Sequence, residues 1–273
     1  MVVMKCIATI FSICVLLGTT NGKFVYNLPV IGNDRIDPHN NTVPYRWMQL
    51  KIENIGGSSK FAHYYPPPSA DLMYFTSVFE KNFLHQVLDL IEWIKLLKYS
   101  FAGQTIGWSD VCYHHKFDKN CLMNSILQYY NQSHDVIDRV LMDEYGFFVV
   151  WAYLDHFLAC TSNLMMQYDT KLNASCTDIN GRPILPQSVL SGYDDVNFNN
   201  ATSLVITMLF STEHTYPDAV TQWQNEMTKL IHNYNNPNMT ITIVRPKFPY
   251  WPPFHKDSLN KISLNLNAAN LKP

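Results

Sequence analysis

A charge-free apolar run near the start of the chain constrains the compartment in which the remainder can fold. Lys5 precedes residues 6–18 (CIATIFSICVLLG), and Thr20, Asn21 and Gly22 then offer small residues ahead of Lys23. As a helix the run rises only about 20 Å at 1.5 Å per residue, too short for a hydrocarbon core of about 30 Å. It reads as a signal peptide over residues 1–22, cut before Lys23. No later stretch of sequence approaches the roughly 20 apolar residues that a membrane span needs. The expectation is a chain that folds on the far side of a membrane, in an oxidising compartment.

That compartment sets the role of the cysteines. There are six in the sequence; Cys6 and Cys14 leave with the signal, so Cys112, Cys121, Cys160 and Cys176 remain, with three possible pairings. The local pairing, Cys112–Cys121 and Cys160–Cys176, closes rings of about 10 and 17 residues. On the chain-entropy model those rings stabilise by roughly 2.7 and 3.1 kcal/mol. Neither spacing resembles the short ligand pairs of structural zinc sites. His114 and His115 are adjacent inside the first ring, an arrangement that rarely converges on one ion. No metal is expected.

Charged residues make up only 15% of the chain and the net charge is −2. Ordinary soluble proteins carry about 25%. A near-neutral balance argues against an electrostatic grip on nucleic acid or anionic lipid. Glycans are the expected source of solubility: Asn-x-Ser/Thr sequons stand at Asn40, Asn131, Asn173, Asn200 and Asn238.

After cleavage about 250 residues remain, enough for a substantial core. Residues 23–43 form a polar lead-in, residues 44–246 the domain, and residues 247–273 a proline-rich flexible tail. Residues 46–53 alternate Trp47, Gln49 and Lys51 against Met48, Leu50 and Ile52, the pattern of a half-buried strand. Within residues 62–75 three consecutive prolines forbid both helix and ladder, so an exposed, stiff loop is expected there. Residues 78–97 carry Phe83, Val87, Leu90, Ile94 and Leu97 at helical spacing. Further helices are expected over residues 122–130 and 136–142, and residues 146–159 suit helix or strand. Residues 203–210 read as a buried strand by their β-branched content. Residues 216–234 read as a helix with the stripe Val220, Trp223, Met227, Leu230 and Tyr234, and residues 239–245 as a closing strand. Strand, helix and strand in that order favour a βαβ unit with parallel pairing, and so an α+β sandwich.

Catalytic motifs are absent from the sequence: there is no Gly-x-Ser-x-Gly, no His-Glu-x-x-His and no phosphate-binding glycine loop. Asp194-Asp195 lies in a stretch where Asp and Asn build turns. Cysteine nucleophiles would need thiols that an oxidising compartment disfavours. The expectation is no enzyme and no cofactor.

Longer motifs are more specific. His85-Gln86-Val87-Leu88-Asp89-Leu90 comes first, then Gly192-Tyr193-Asp194-Asp195, then Asn199-Asn200-Ala201-Thr202 with Leu204-Val205-Ile206-Thr207, and last Tyr234-Asn235-Asn236-Pro237-Asn238. In that order they resemble the middle luminal domain of the large polytopic Niemann–Pick type C sterol transporters, relatives of Patched and of resistance–nodulation–division pumps. The likeness covers residues 44–245. Lys119-Asn120-Cys121 and Asp155-His156-Phe157-Leu158-Ala159-Cys160 also resemble family runs, which supports the local disulfide pairing.

The resemblance implies a ferredoxin-like α/β core with added helices and two protruding loops. In the family those loops dock the small soluble Niemann–Pick type C sterol carrier, in the endosomal and lysosomal lumen, and serve some filoviral glycoproteins. One loop corresponds to Tyr64, Tyr65, Pro66, Pro67, Pro68 and Ser69, the other to Gly146, Phe147, Phe148, Val149 and Val150. Pro67 and Val150 stand where the family favours aromatics, and Tyr145-Gly146 where it has acidic residues, which alters the electrostatics of docking. A signal segment so near the domain favours a free-standing module, secreted or lumenal, that contacts sterol only indirectly. The alternative is a secreted protein or decoy that itself encloses lipid.

Overall fold

The computed structural model describes residues 45–57, 60–64, 72–114, 120–195, 197–211, 217–234, 236–246 and 259–264. In chain order, β1 is Tyr45–Asn54, β2 Lys60–Tyr64, β3 Leu72–Thr76 and α1 Lys81–Leu96. Then come β4 Lys98–Phe101, β5 Gln104–Gly107, α2 Trp108–Val111, β6 Met123–Asn124 and α3 His134–Asp138. The strands β7 Leu141–Met142 and β8 Val149–Trp151 precede α4 Tyr153–Ser162, β9 Tyr168–Asp169 and β10 Ala174–Ser175. The chain continues through α5 Pro186–Val189, β11 Leu190–Ser191, β12 Ser203–Ser211, α6 Pro217–Asn233, β13 Met239–Pro246 and β14 Leu259–Leu264.

The alternation in β1 decides the inner face of the main sheet. Met48, Leu50 and Ile52 are buried, while Trp47, Gln49 and Lys51 on the other face are half-buried. Leu50 stands opposite Ile206 of β12 on one side and Ile243 of β13 on the other. The strand order is β11-β12-β1-β13-β14, with β6 also pairing β12, and every pairing is antiparallel. The α+β class expected from the sequence is the class observed.

The expected parallel pair is not. Helix α6 does connect β12 to β13, and the two strands run parallel, but β1 lies between them and pairs antiparallel with both. The crossover is therefore split by one strand. Local pattern could not place β1, because a strand far away in sequence enters the gap at little extra loop-closure cost.

Helices α1 and α6 supply much of the core. Phe83, Val87, Leu90 and Ile94 of α1 are buried as their spacing requires, joined by Leu84, Leu88 and Ile91. In α6 the buried stripe is Val220, Trp223, Met227 and Ile231; Leu230 is only half-buried. The step from Met227 runs four residues, not three, as a 3.6-residue period permits. Trp223 is fully buried, with ring centroids 5.4 Å from Trp108 and 5.8 Å from Phe210.

Other expectations change. The flanks of the proline segment form a β2–β3 hairpin, with Phe61 opposite Phe75, instead of one long loop. Residues 122–130 are not one helix: β6 joins the sheet edge and only Ile126–Tyr130 winds, as a 3₁₀ turn. The third helix ends at Asp138, since Leu141–Met142 pair with β8. Residues 146–159 divide between β8 and α4. Beyond residue 246 the strand β14 pairs antiparallel with β13.

Candidate functional site: two hairpins

The first hairpin is β2–β3. Its inner side chains reach the core: Phe75 meets Phe61 at 6.1 Å, Phe79 at 5.3 Å and Phe157 of α4 at 6.4 Å between ring centroids. At the last described pair of its ladder, Tyr64 is 72% exposed opposite Leu72, which is also exposed. Tyr65, Pro66, Pro67, Pro68 and Ser69 lie outside the described residues.

The second hairpin, β7–β8, has a turn built by Asp143. The Asp143 carboxylate accepts the backbone N–H of Phe147 at 2.7 Å and of Phe148 at 3.1 Å. The Asp143 N–H donates to the Phe148 carbonyl at 2.8 Å, and the Gly146 N–H to the Asp143 carbonyl at 3.0 Å. Gly146 has φ +72°, a conformation that glycine adopts without strain. The turn displays Phe147 and Phe148, 77% and 70% exposed, beside exposed Tyr145 and Val149; Val150 is half-buried.

Below the turn the stem is anchored by a buried polar cluster. Trp151 Nε1 donates to Asp169 Oδ2 at 2.8 Å, and His156 Nδ1 lies 2.9 Å from the same oxygen. His156 Nε2 is 2.7 Å from the Tyr129 carbonyl, so both ring nitrogens face acceptors. Burial pushes the Asp169 carboxyl up. The hydrogen bonds from His156, Trp151 and the Lys171 backbone, with the charge of His156, outweigh that and hold it at about 2. Lys171 Nζ sits 3.7 Å above the Trp151 ring.

Cys160 Sγ lies 3.7 Å from His156 Nδ1, so Cys160, His156 and Asp169 resemble a nucleophilic triad. The sulfur is bonded to Cys176, and no thiolate is available there. The disulfides Cys112–Cys121 and Cys160–Cys176 have Cα atoms 5.4 and 5.3 Å apart.

The other singled-out residues fall into place. Asp194 accepts the Asn197 N–H through its carbonyl and Asp195 has φ +51°, as a turn requires. His114 Nε2 faces the Ser109 carbonyl at 2.9 Å, while His115 and Asn40 lie outside the described residues. Asn131, Asn173 and Asn238 are exposed; Asn200 is half-buried and accepts a bond from Lys60 at 3.2 Å.

Sequence reasoning missed the His63–Asp155 contact, the Trp151–His156–Asp169 cluster and a stacked pair, His85 and His134, 4.9 Å between centroids. The last pair had a signal. His85 and Asp89, like His134 and Asp138, are four apart on their helices, and each histidine faces the other helix's aspartate at 3.2–3.3 Å. Asp89, Glu92 and His134 also place potential ligand atoms within 4.8 Å of one another; all three are at least partly exposed. Among the described residues no helix is long and apolar enough to cross a membrane.

The family model described as "NPC1, middle luminal domain" matches residues 40–244. The pig protein named "NPC intracellular cholesterol transporter 1" is 36% identical over 209 residues, covering 73% of this chain and 16% of the relative. The mouse "NPC1-like intracellular cholesterol transporter 1" is 29% identical over 145 residues, 49% of this chain and 11% of the relative. The chain thus spans about a sixth of the pig transporter's length. With most of its length matched by that model, the chain belongs to the NPC1 middle luminal domain family.

Proposed function

We propose that this chain serves NPC1-type cholesterol transport as a non-catalytic docking module, binding a small soluble sterol carrier through its two hairpin tips. The observation that carries the reading is the turn at Asp143, which holds Phe147 and Phe148 outward. Large exposed aromatics side by side mark an interaction surface. Aromatic anchors buried at an interface often cost about 2 kcal/mol or more on truncation, and a pre-ordered turn loses little entropy on binding. Tyr64, Tyr65, Pro66, Pro67 and Pro68 are assigned to the second finger, and Val150 supports the first. The setting is lumenal or extracellular, entered through the signal segment, with the sequons glycosylated.

The rival reading, a protein that itself encloses sterol, is weakened by the aromatics. Phe75, Phe79, Phe157 and Tyr129 fill the core against one another at 5.1–6.4 Å. The test is surface plasmon resonance against the cholesterol-loaded carrier at acidic pH. Replacing Phe147 and Phe148 together by Ala weakens binding at least about thirtyfold, as roughly 2 kcal/mol implies, with the melting temperature little changed. Unchanged affinity refutes docking; a melt lower by tens of degrees puts the pair in the core.

A further inference from the structure

We infer that the Asp155 carboxylate is a brace that fixes the outer end of β2 against the foot of the β7–β8 hairpin, so that His63 and Asp155 are positioning residues for docking. This rests on the docking reading above and adds to it a requirement for shared rigidity.

Asp155 is the third residue of α4 and its side chain is only 3% exposed. Oδ2 serves the start of its own helix at the foot of the β7–β8 hairpin, and Oδ1 serves the β2–β3 hairpin. Oδ2 accepts the Ala152 N–H at 2.8 Å, and Ala152 directly follows β8, the outgoing strand of the Phe147–Phe148 hairpin. Oδ1 lies 2.7 Å from His63 Nε2, and His63 directly precedes Tyr64 at the outer end of β2. The partners are 92 residues apart in sequence. An aspartate at this helix position needs one oxygen to cap its own helix. The second oxygen is committed to the other hairpin.

The alternatives available to that oxygen are poor. A carboxylate this buried must keep its partners, since an unpaired lone pair there costs as much as the lost solvation. The His63 ring is also held edge-on against Phe75, 6.0 Å between centroids. The other ties of the first hairpin sit further down its stem or on the far strand. Lys60 reaches Asn200, Thr76 Oγ1 donates to the Ala201 carbonyl, and Asn199 donates to the Tyr74 carbonyl at 2.8 Å. Among the described residues, His63 is thus the one of these ties nearest Tyr64. Its loss loosens Tyr64 and leaves the base of the hairpin fastened. Two anchors on one rigid body engage a partner together, whereas independent anchors must each be ordered on binding.

The experiment compares His63→Leu, which removes the nitrogen, with His63→Gln, whose amide N–H reaches the same point. Binding of cholesterol-loaded carrier is measured by surface plasmon resonance, with Phe147→Ala/Phe148→Ala as a control. In parallel, nitroxides on unnatural residues at Leu72 and Tyr145 report the spread of inter-tip distances. The expected result is about tenfold weaker docking and a broadened distance distribution for His63→Leu, with both restored in His63→Gln. If His63→Leu binds within twofold of wild type while the Phe variant does not bind, the brace is wrong and docking stands. If neither variant changes binding, docking fails and takes the brace with it. A His63→Leu protein with weak binding but an unchanged distance distribution also overturns the brace. Should His63→Leu fail to fold, His63→Asn, too short to reach Asp155, takes its place in the same comparison.

Discussion

Replacing Asp169 by Ala removes the acceptor on which the stem of the second hairpin rests. Its carboxylate receives Trp151 Nε1 at 2.8 Å and the Lys171 backbone N–H at 2.9 Å, and meets His156 Nδ1 at 2.9 Å. Trp151 and His156 are buried, so water cannot replace what they lose. A stranded buried donor costs about 1–3 kcal/mol. The upper end of that range applies, because both donors are stranded at once. For a domain of about 200 residues this lowers the melting temperature by roughly 10 °C. Asp169→Asn recovers part of the loss, since its amide oxygen still accepts from Trp151.

The same group predicts a pH signature. Its carboxyl is held at about 2 in the folded chain against an ordinary 3.8. A depressed folded value stabilises fully above the unfolded value, and the stabilisation is lost as pH falls through the folded one. The gap between wild type and Asp169→Ala should therefore be widest above about pH 4 and narrow towards pH 2. Urea unfolding followed by circular dichroism, near neutral pH and again near pH 3, measures it. A neutral-pH loss below about 1 kcal/mol, or a gap that widens in acid, refutes the account of the cluster.

Two further outcomes are expected. Peptide mapping without reduction yields Cys112 linked to Cys121 and Cys160 linked to Cys176, and a dominant Cys112–Cys160 peptide contradicts the pairing. Secreted from animal cells, the protein loses mass on N-glycosidase treatment, with modification at exposed Asn131, Asn173 and Asn238; unmodified peptides at all three argue against a lumenal route.

Much of the fold was legible in the residues. The period-two alternation of β1 and the stripe of α1 each fix which side faces the core, and the unbroken apolar, β-branched run of β12 marks a strand buried on both faces. The paired phenylalanines could be assigned to a tip only through the family likeness. By composition Phe147-Phe148-Val149-Val150 suits a core strand equally well, and the aspartate that turns it outward stands four residues earlier. The proline segment announced an exposed loop, yet its flanks zip together through alternation too short to stand out.

What the sequence by itself determined is therefore local: which faces are apolar, where the chain turns, and the family to which its longer motifs point. What the tertiary structure alone decided is every juxtaposition across the chain. β1 enters between β12 and β13, the Asp155 carboxylate meets His63, and Asp169 receives Trp151 and His156. The reason is physical. Hydrophobic patterning is set by neighbours within one or two turns, whereas a buried polar group takes whichever partner the packed core brings within about 3 Å, and no periodicity records that choice.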